Sequence, residues 1–188
     1  MTASPALESI QADLARRKSR AIEMRTEAAE LFRQGRSGVQ IAGYLAKAAD
    51  DIILEFIGDA LPEEATDADE IARTAAVIAV GGTGRGELAP YSDIDLLFLE
   101  TGRGTDAFRR SVSHVVQSCW DAKLELGHSI RTVRDCIALS RQDAEIATSL
   151  TEARLLWGSR DLFESLQRRF HRHVGLVYDS DIAGAQAR

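Results

Sequence analysis

The sequence has few of the features that mark secreted or membrane-spanning proteins. Among 188 residues there are two cysteines and three prolines. Cys119 and Cys136 show no paired spacing, so we predict reduced thiols in the core rather than a disulfide. No apolar run approaches the roughly 20 residues needed to cross a bilayer, and residues 1–20 lack the apolar centre of a secretion signal. These absences predict a cytoplasmic protein with no membrane partner.

An excess of positive charge is also missing. The chain carries 23 Lys and Arg residues against 29 Asp and Glu, a formal net charge of −6. Because nucleic-acid binding is driven by the neutralisation of phosphates, this balance argues against a nucleic-acid partner. With 45% hydrophobic and 28% charged residues, the composition is typical of a folded, helix-rich chain with room for one domain and a helical appendage. We expect a small molecule or a protein as the substrate.

The spacing of apolar residues predicts helices at both ends of the chain and strands between them. Predicted helices cover residues 5–34, 39–57 (with Ser37 as a candidate cap), 106–120, 134–141, 143–157 and 160–173. Three strands are predicted at residues 74–80, 94–99 and 124–133, and residues 62–70 are expected to form a loop or a short solvated helix. This order predicts a small mixed sheet flanked by helices, of the α+β or α/β class, which the pattern does not separate. We divide the chain into a helical segment (1–60), a main domain (70–175) and a tail (176–188).

The stretch from Gly81 to Leu99, GGTGRGELAPYSDIDLLFL, carries the densest chemical signal. Residues two apart in a strand share a face, so Asp93 and Asp95 project together while Ile94 faces the packing side. Two neighbouring carboxylates repel each other. A Mg²⁺ or Mn²⁺ ion removes the conflict, because these ions take one or two carboxylates together with waters and substrate phosphates. We therefore predict that Asp93 and Asp95 are metal ligands and catalytic residues.

The glycines before these carboxylates predict a nucleotide site. Gly81 and Gly82 follow the first strand, and without a Cβ atom they allow a triphosphate to approach the backbone. Arg85 can add a charge-assisted contact to phosphate, and we assign Ser92 to the same nucleotide site. A dinucleotide-binding turn is excluded because Glu87 stands near the place of its third glycine, and the chain has no Walker-A lysine.

The segment VGGTGRGELAPYSDIDLLFL resembles the signature of the polymerase-β-like nucleotidyltransferases, in which an apolar strand and a Gly-Gly turn precede Asp-x-Asp. Two further blocks, CWDAKLELGHSIRTVRDC at 119–136 and DAEIATSLTEARLLWGSRDLFE at 143–164, are similar to the bacterial PII-protein uridylyltransferases. The resemblance covers about residues 75–170. It implies the polymerase-β-like fold, divalent metal ions on Asp93 and Asp95, and transfer of UMP from UTP to a tyrosine of the PII signalling protein.

The chain departs from this family in two ways. Thr83 stands where the family usually has a bulky aromatic residue. Members of the family are several times longer, and the ending YDSDIAGAQAR is unlike their continuation, so we expect a fragment or a truncated relative. Two alternative functions stay open: a nucleotidyltransferase with an ATP donor or another acceptor, and a nucleotide-binding fragment without activity.

The superfamily generally has a third carboxylate on a neighbouring strand, and two residues are candidates for it. They are Asp121 and Glu125. We favour Glu125 because it lies within the predicted strand, although a solvated edge carboxylate is an equal alternative. Asp143 is interpreted first as a helix cap. For four other polar residues, both a place in the cleft and a structural pairing stay open: His128, Arg131, Glu152 and Arg154.

Overall fold

The computed structural model describes residues 5–102 and 106–186, with side chains described for residues 12–102 and 106–174. The first half of the chain contains α1 (Pro5–Arg33), α2 (Gly38–Ala60), α3 (Ala65–Thr74), β1 (Ala75–Ala79), α4 (Gly81–Arg85) and β2 (Ile94–Glu100). The second half contains α5 (Asp106–Asp121), β3 (Leu126–Thr132), α6 (Val133–Ser140), α7 (Ala144–Thr151), β4 (Arg154–Gly158) and α8 (Arg160–Gln186). The backbone of α8 thus continues across most of the range that the sequence assigned to a tail.

Side-chain caps set the starts of three helices. Ser37 caps α2 in a capping box, in which its Oγ accepts from the Gln40 N–H and Gln40 Oε1 accepts from the Ser37 N–H. Thr132 caps α6. Asp143 caps α7, where Oδ1 accepts from the Glu145 and Ile146 N–H groups. The predicted caps Ser37 and Asp143 are confirmed, because each satisfies backbone donors that the first helical turn leaves unpaired.

The four strands form one mixed sheet in the order β3-β2-β1-β4. β1 lies in the interior and pairs antiparallel with both β2 and β4. β2 and β3 run parallel, which places Asp95 opposite Gly127 in the ladder. The predicted class, a small mixed sheet flanked by helices, is confirmed.

The prediction of one helix over residues 143–157 is wrong. The helix α7 ends at Thr151, and residues from Arg154 onward form β4 along the free edge of β1. Leu155 packs against one face of the sheet while Leu156 and Trp157 pack against the other. A short strand with apolar residues on both faces has no period-2 pattern, so its sequence is indistinguishable from that of a buried helix.

Two helical layers cover the two faces of the sheet. On one face, α1, α2, α3 and α5 pack against strand residues that include Val77 and Phe98. On the other, α6, α7 and α8 pack against Ile78, Leu97 and Leu99. Adjacent strand residues therefore enter different cores, as the alternation of a strand requires. The N-terminal helices share one continuous core with the sheet.

Cys119 and Cys136 are buried free thiols, as predicted. Burial raises the pKa of Cys119 to about 12 and that of Cys136 to about 11. No helix within the described part of the chain is both long enough and apolar enough to span a membrane.

Candidate active site

The glycine-rich segment forms a single helical turn, α4, between the ends of β1 and β2. Gly81 opens the turn with a φ of +56°, and Gly86 closes it in the left-handed conformation. The Glu87 N–H then donates to the Gly82 carbonyl, and the Leu88 N–H donates to the Ala42 carbonyl on α2. The turn that the sequence predicted after the first strand is thus helical, internally hydrogen-bonded and tied to α2.

The two aspartates converge beside this turn. Asp93 precedes β2 and Asp95 is its second residue. A Cβ atom added to Gly127 would lie 2.4 Å from Asp95 Oδ1 and 3.7 Å from Asp93 Oδ2, and one added to Gly81 would lie 3.2 Å from Asp95 Oδ2. Both carboxylates therefore lie over Gly127, and that of Asp95 lies against the α4 turn as well. Glycines on two elements make room for them.

The electrostatics at this point favour a cation. Asp95 is half-buried and Asp93 is exposed. Burial raises the pKa of Asp95, and the negative charges of Asp93 and Glu145 raise that pKa further. A divalent ion would offset all three effects, because burial and the two negative charges disfavour only the ionised form of Asp95. Glu145, in the first turn of α7, had no signal in the sequence that linked it to the Asp-x-Asp stretch.

The backbone of Asp95 is held by β1 and α4. Its N–H donates to Thr83 Oγ1 at 3.0 Å, and its carbonyl accepts from the Val80 N–H at 3.1 Å. Thr83 is almost fully buried, at 1% exposure. The threonine that departs from the family pattern thus supplies an acceptor that an aromatic side chain such as Phe lacks. The contact is not predictable from the sequence, because Thr83 and Asp95 meet only in the folded chain.

Arg154 joins three elements beneath the turn. Its guanidinium makes two hydrogen bonds to the Asp50 carboxylate on α2, at 2.8 and 3.2 Å. It also donates to the Thr83 carbonyl at 2.9 Å and to the Gly84 carbonyl at 3.2 Å. Of the two interpretations left open for Arg154, these contacts support the structural one. Arg154 is a positioning residue for α4.

Arg85 and Ser92, the two side chains assigned to the nucleotide site, are exposed. Arg85 is exposed and pairs with Glu152, which raises the pKa of the guanidinium, and it lies 3.7 Å from Glu87. Ser92 is exposed, and its hydroxyl donates to the Ala89 carbonyl at 3.1 Å. Both side chains therefore have protein partners that a phosphate would have to replace or share.

Neither candidate for the third carboxylate joins the aspartate pair. Asp121, the last residue of α5, lies 3.6 Å from Arg17 and accepts from Gln117. Glu125 is exposed and lies one residue before β3, so the prediction that it lies within the strand was wrong. Its backbone carbonyl accepts a hydrogen bond from the Ile94 N–H of β2 at 2.9 Å. Among the described residues, no three His, Cys, Asp or Glu side chains come close enough to hold a metal together.

A cleft of about 250 Å³ opens next to Asp95, between β2, β3 and α7. Its lining includes Gly127, Ser129, Arg131 and Glu145. Arg131 brings a positive charge to the same cleft as Asp95. The ring of His128 packs edge-on against Phe98, with centroids 6.3 Å apart, which supports a structural interpretation of that histidine. The cleft thus combines two acidic side chains, those of Asp95 and Glu145, with the basic side chain of Arg131.

Comparisons with known proteins identify relatives of this chain. Residues 63–125 match the family model described as a nucleotidyltransferase domain. The chain is 49% identical over 98 residues to the bifunctional uridylyltransferase/uridylyl-removing enzyme of Azospirillum brasilense. It is 50% identical over 96 residues to that of Photobacterium profundum, and 40% identical over 149 residues to that of Thiobacillus denitrificans.

The chain therefore carries a nucleotidyltransferase domain, and the predicted kinship with this class of protein is confirmed. Within that class it is related to the bifunctional uridylyltransferase/uridylyl-removing enzymes, and its match to the Thiobacillus denitrificans protein covers 78% of this chain. The three matches cover 52%, 51% and 78% of this chain but only 10%, 11% and 17% of the relatives. Among solved structures, the toxin–antitoxin MntA-HpeT covers 73% of this chain and 98% of its own, at 12% identity and a TM-score of 0.41. That likeness is too distant to bear on function.

Proposed function

We propose that this chain transfers a nucleotidyl group from a nucleoside triphosphate to a hydroxyl acceptor, with a divalent cation held by Asp93 and Asp95. The observation that carries the proposal is the convergence of the two carboxylates over Gly127, beside a turn that begins with two glycines. The donor set fits Mg²⁺ or Mn²⁺, which favour carboxylate oxygens and keep positions open for waters and substrate phosphates.

Some residues position the metal-binding carboxylates, and others leave the backbone of α4 accessible to the nucleotide. Thr83 and Val80 hold the backbone of Asp95, so its carboxylate keeps its direction. Gly81 and Gly82 leave the backbone of α4 accessible to the triphosphate, and Arg131 faces the same cleft. The acceptor oxygen forms a bond to the α-phosphorus while the bond to pyrophosphate breaks. A divalent ion held by Asp93 and Asp95 would neutralise phosphate charge and lower the pKa of the acceptor hydroxyl.

The relatives suggest the donor and the acceptor. Because the related proteins are named uridylyltransferases, we propose UTP as the donor. The resemblance to the PII-protein uridylyltransferases supports a tyrosine of a PII-type signalling protein as the acceptor. The reaction would take place in the cytoplasm, without a membrane or nucleic-acid partner. Glu125 is left out of the proposed metal site, because no third carboxylate among the described residues joins the aspartates in a metal-binding cluster.

Transfer of label from α-labelled UTP or ATP to purified PII protein, with Mg²⁺, tests the proposal. We expect labelled PII from UTP. Asp93→Asn and Asp95→Asn should each reduce the rate by about 100-fold or more, because each removes a carboxylate that holds the metal. Asp51→Asn, an exposed carboxylate on α2 that pairs with Lys47, is the matched control and should keep the rate.

The alternatives give distinct results in the same experiment. Label from ATP alone, or on another acceptor, would support nucleotidyl transfer with a different substrate and contradict the PII assignment. Retained nucleotide binding with no transfer to any acceptor would support an inactive nucleotide-binding fragment. Transfer that survives both aspartate substitutions would contradict the metal site itself.

A further inference from the structure

A second concave surface lies between α6 and α8, outside the cleft of the aspartates. Its volume is about 340 Å³, and its polar lining consists of four arginines and one histidine: Arg134, Arg141, Arg169, Arg172 and His173. We call it the arginine groove. Ile137 and Ala138 form its apolar part, and no acidic side chain among the described residues lines it. This concentration of positive charge stands in a chain whose formal net charge is −6.

Helical spacing brings these side chains together. Residues 134, 137, 138 and 141 follow the i, i+3, i+4, i+7 pattern of one helix face. Residues 169, 172 and 173 follow the same pattern on α8, and α6 and α8 pack against each other. The two faces therefore present their arginines toward a common space. The spacing of these residues is visible in the sequence, but only the packing of α6 on α8 brings the two sets of arginines together.

The arginines of the groove lack bonded carboxylate partners. In the part of the chain whose side chains are described, none of the four makes a hydrogen bond or an ion pair. The charge of Arg134 helps to lower the pKa of Asp135, but that carboxylate is held by Thr132, whose N–H and hydroxyl both donate to Asp135 Oδ2. By contrast, the neighbouring Arg168 pairs with Glu164 at 3.3 Å. Four clustered guanidiniums repel one another unless an anion lies between them.

From this we infer that the arginine groove binds a compact oligophosphate, such as inorganic triphosphate or the phosphate tail of a nucleotide. Guanidinium groups match phosphate oxygens in bidentate geometry, which favours arginine over lysine at such sites. The volume lies at the lower end of small-ligand sites, about 300–1,000 Å³, and suits a small anion. A nucleic acid is disfavoured, because its longer backbone would meet the acidic remainder of the surface. The inference is independent of the proposed transfer reaction.

Calorimetric titration with inorganic triphosphate in EDTA tests the inference, because EDTA prevents metal-dependent binding at the aspartates. We expect saturable binding by the unmodified chain. The double variants Arg134→Gln/Arg141→Gln and Arg169→Gln/Arg172→Gln should each weaken it by about tenfold or more, since each loses two charge-assisted contacts. Titration with UTP and ATP distinguishes free oligophosphate from a nucleotide as the source of the phosphates.

Two controls distinguish binding in the groove from binding elsewhere on the protein. Arg36→Gln/Arg110→Gln removes the same charge from two exposed arginines outside the groove and should leave the affinity unchanged. Asp95→Asn should also bind triphosphate as before. Equal weakening in the control pair, loss of binding in Asp95→Asn, or no binding by the unmodified chain would overturn the inference. Tighter binding of a single-stranded oligonucleotide than of triphosphate would overturn it in favour of a nucleic-acid surface. Circular dichroism confirms that each variant is folded.

Discussion

At Asp95 the backbone and the carboxylate are held by different parts of the molecule. The N–H is held by Thr83 and the carbonyl by Val80, whereas the carboxylate lies between Gly81 and Gly127. Burial and two neighbouring negative charges raise the pKa of this carboxylate. The fold therefore keeps in place a group whose ionised form is unfavourable there, as is common at sites that bind a cation.

The raised pKa predicts how stability changes with pH in the absence of metal. The folded chain holds its Asp95 proton to higher pH than the unfolded chain, so the contribution of Asp95 to folding falls as pH rises through the raised pKa. We expect Asp95→Asn to melt at a higher temperature than the unmodified chain above that pKa. The difference should shrink below it. Melting temperatures measured against pH in EDTA test this.

The same carboxylate offers a site-specific control. Asp93→Asn should lower the pKa of Asp95, because it removes the larger of the two neighbouring charge effects, and Glu145→Gln should lower it by less. The carboxyl carbon of Asp95, titrated by NMR, reports the shift. An unchanged pKa of Asp95 in Asp93→Asn would contradict a charge effect of Asp93 on this carboxyl group.

Gly127→Ala tests the space that the aspartates occupy. The added Cβ atom would lie 2.4 Å from Asp95 Oδ1, so the carboxylate must move. A displacement of this kind reduces catalysis by about 100-fold, and we expect that loss together with weaker Mg²⁺ binding. Gly58→Ala on α2, where an added Cβ meets nothing within 4 Å, should keep activity and add about 0.5–1 kcal/mol of stability. Full activity in Gly127→Ala would contradict the proposed position of the metal.

Among the elements, Arg154 determines how α4 sits on the rest of the fold. It connects β4, which carries it, to Asp50 on α2 and to two carbonyls of α4. The Asp50 side chain is 18% exposed, against 27% for Glu55 in its pair with Arg16 of α1, so the pair with Arg154 is somewhat better shielded from water. An element of five residues has too few internal bonds to hold its own orientation. The contacts of Arg154 supply that orientation.

Arg154→Gln should therefore loosen the turn as well as lower stability. We expect a loss of about 1–3 kcal/mol, because the Asp50 carboxylate and two carbonyls lose a charged donor. Hydrogen exchange of the amides at residues 81–88 should become faster, and the KM for the nucleotide should rise. Lys47→Gln, which breaks an exposed pair with Asp51 on the same helix, should cost less than about 1 kcal/mol. Lost stability without faster exchange at residues 81–88 would show that Arg154 does not position α4.

Across the whole molecule, the N-terminal helices and the sheet form one unit. Ala21 and Met24 from α1 and Phe56 from α2 are buried in the same core as residues of β1 and β2. Phe56 is 0% exposed and lies beneath the guanidinium of Arg17. Because α1 and α2 share this core with α3, α5 and one face of the sheet, we expect the described elements to unfold together.

Phe56→Ala tests this unity. We expect a loss of about 3–5 kcal/mol and faster hydrogen exchange in β1 and β2 as well as in α2. Leu54→Ala, two residues away with a side chain 38% exposed, should cost much less. Thermal unfolding followed by far-UV circular dichroism and by tryptophan fluorescence should give coincident transitions. An early transition confined to α1 and α2 would contradict a single folding unit.

The features predicted correctly from the sequence are those encoded locally. The strand near Ile94 and the helix caps Ser37 and Asp143 depend on residues within one or two turns of each other. The proximity of Asp93 and Asp95 also follows from their positions, two residues apart at the start of β2. The family followed from three short blocks of residues for the same reason. These features can be predicted from the sequence because the interactions that produce them join residues close together in the chain.

The features that only the tertiary structure decided all depend on distant contacts. β4 exists because β1 offers it a free edge, and Arg154 was ambiguous until it met Asp50, 104 residues away. Gly127 and Glu145 come to Asp95 through the parallel pairing of β2 with β3 and the packing of α7. The two halves of the arginine groove meet only where α6 packs on α8. The sequence alone thus predicted a metal site at Asp93 and Asp95, because the two residues are neighbours in the chain, while long-range packing decided which residues surround them.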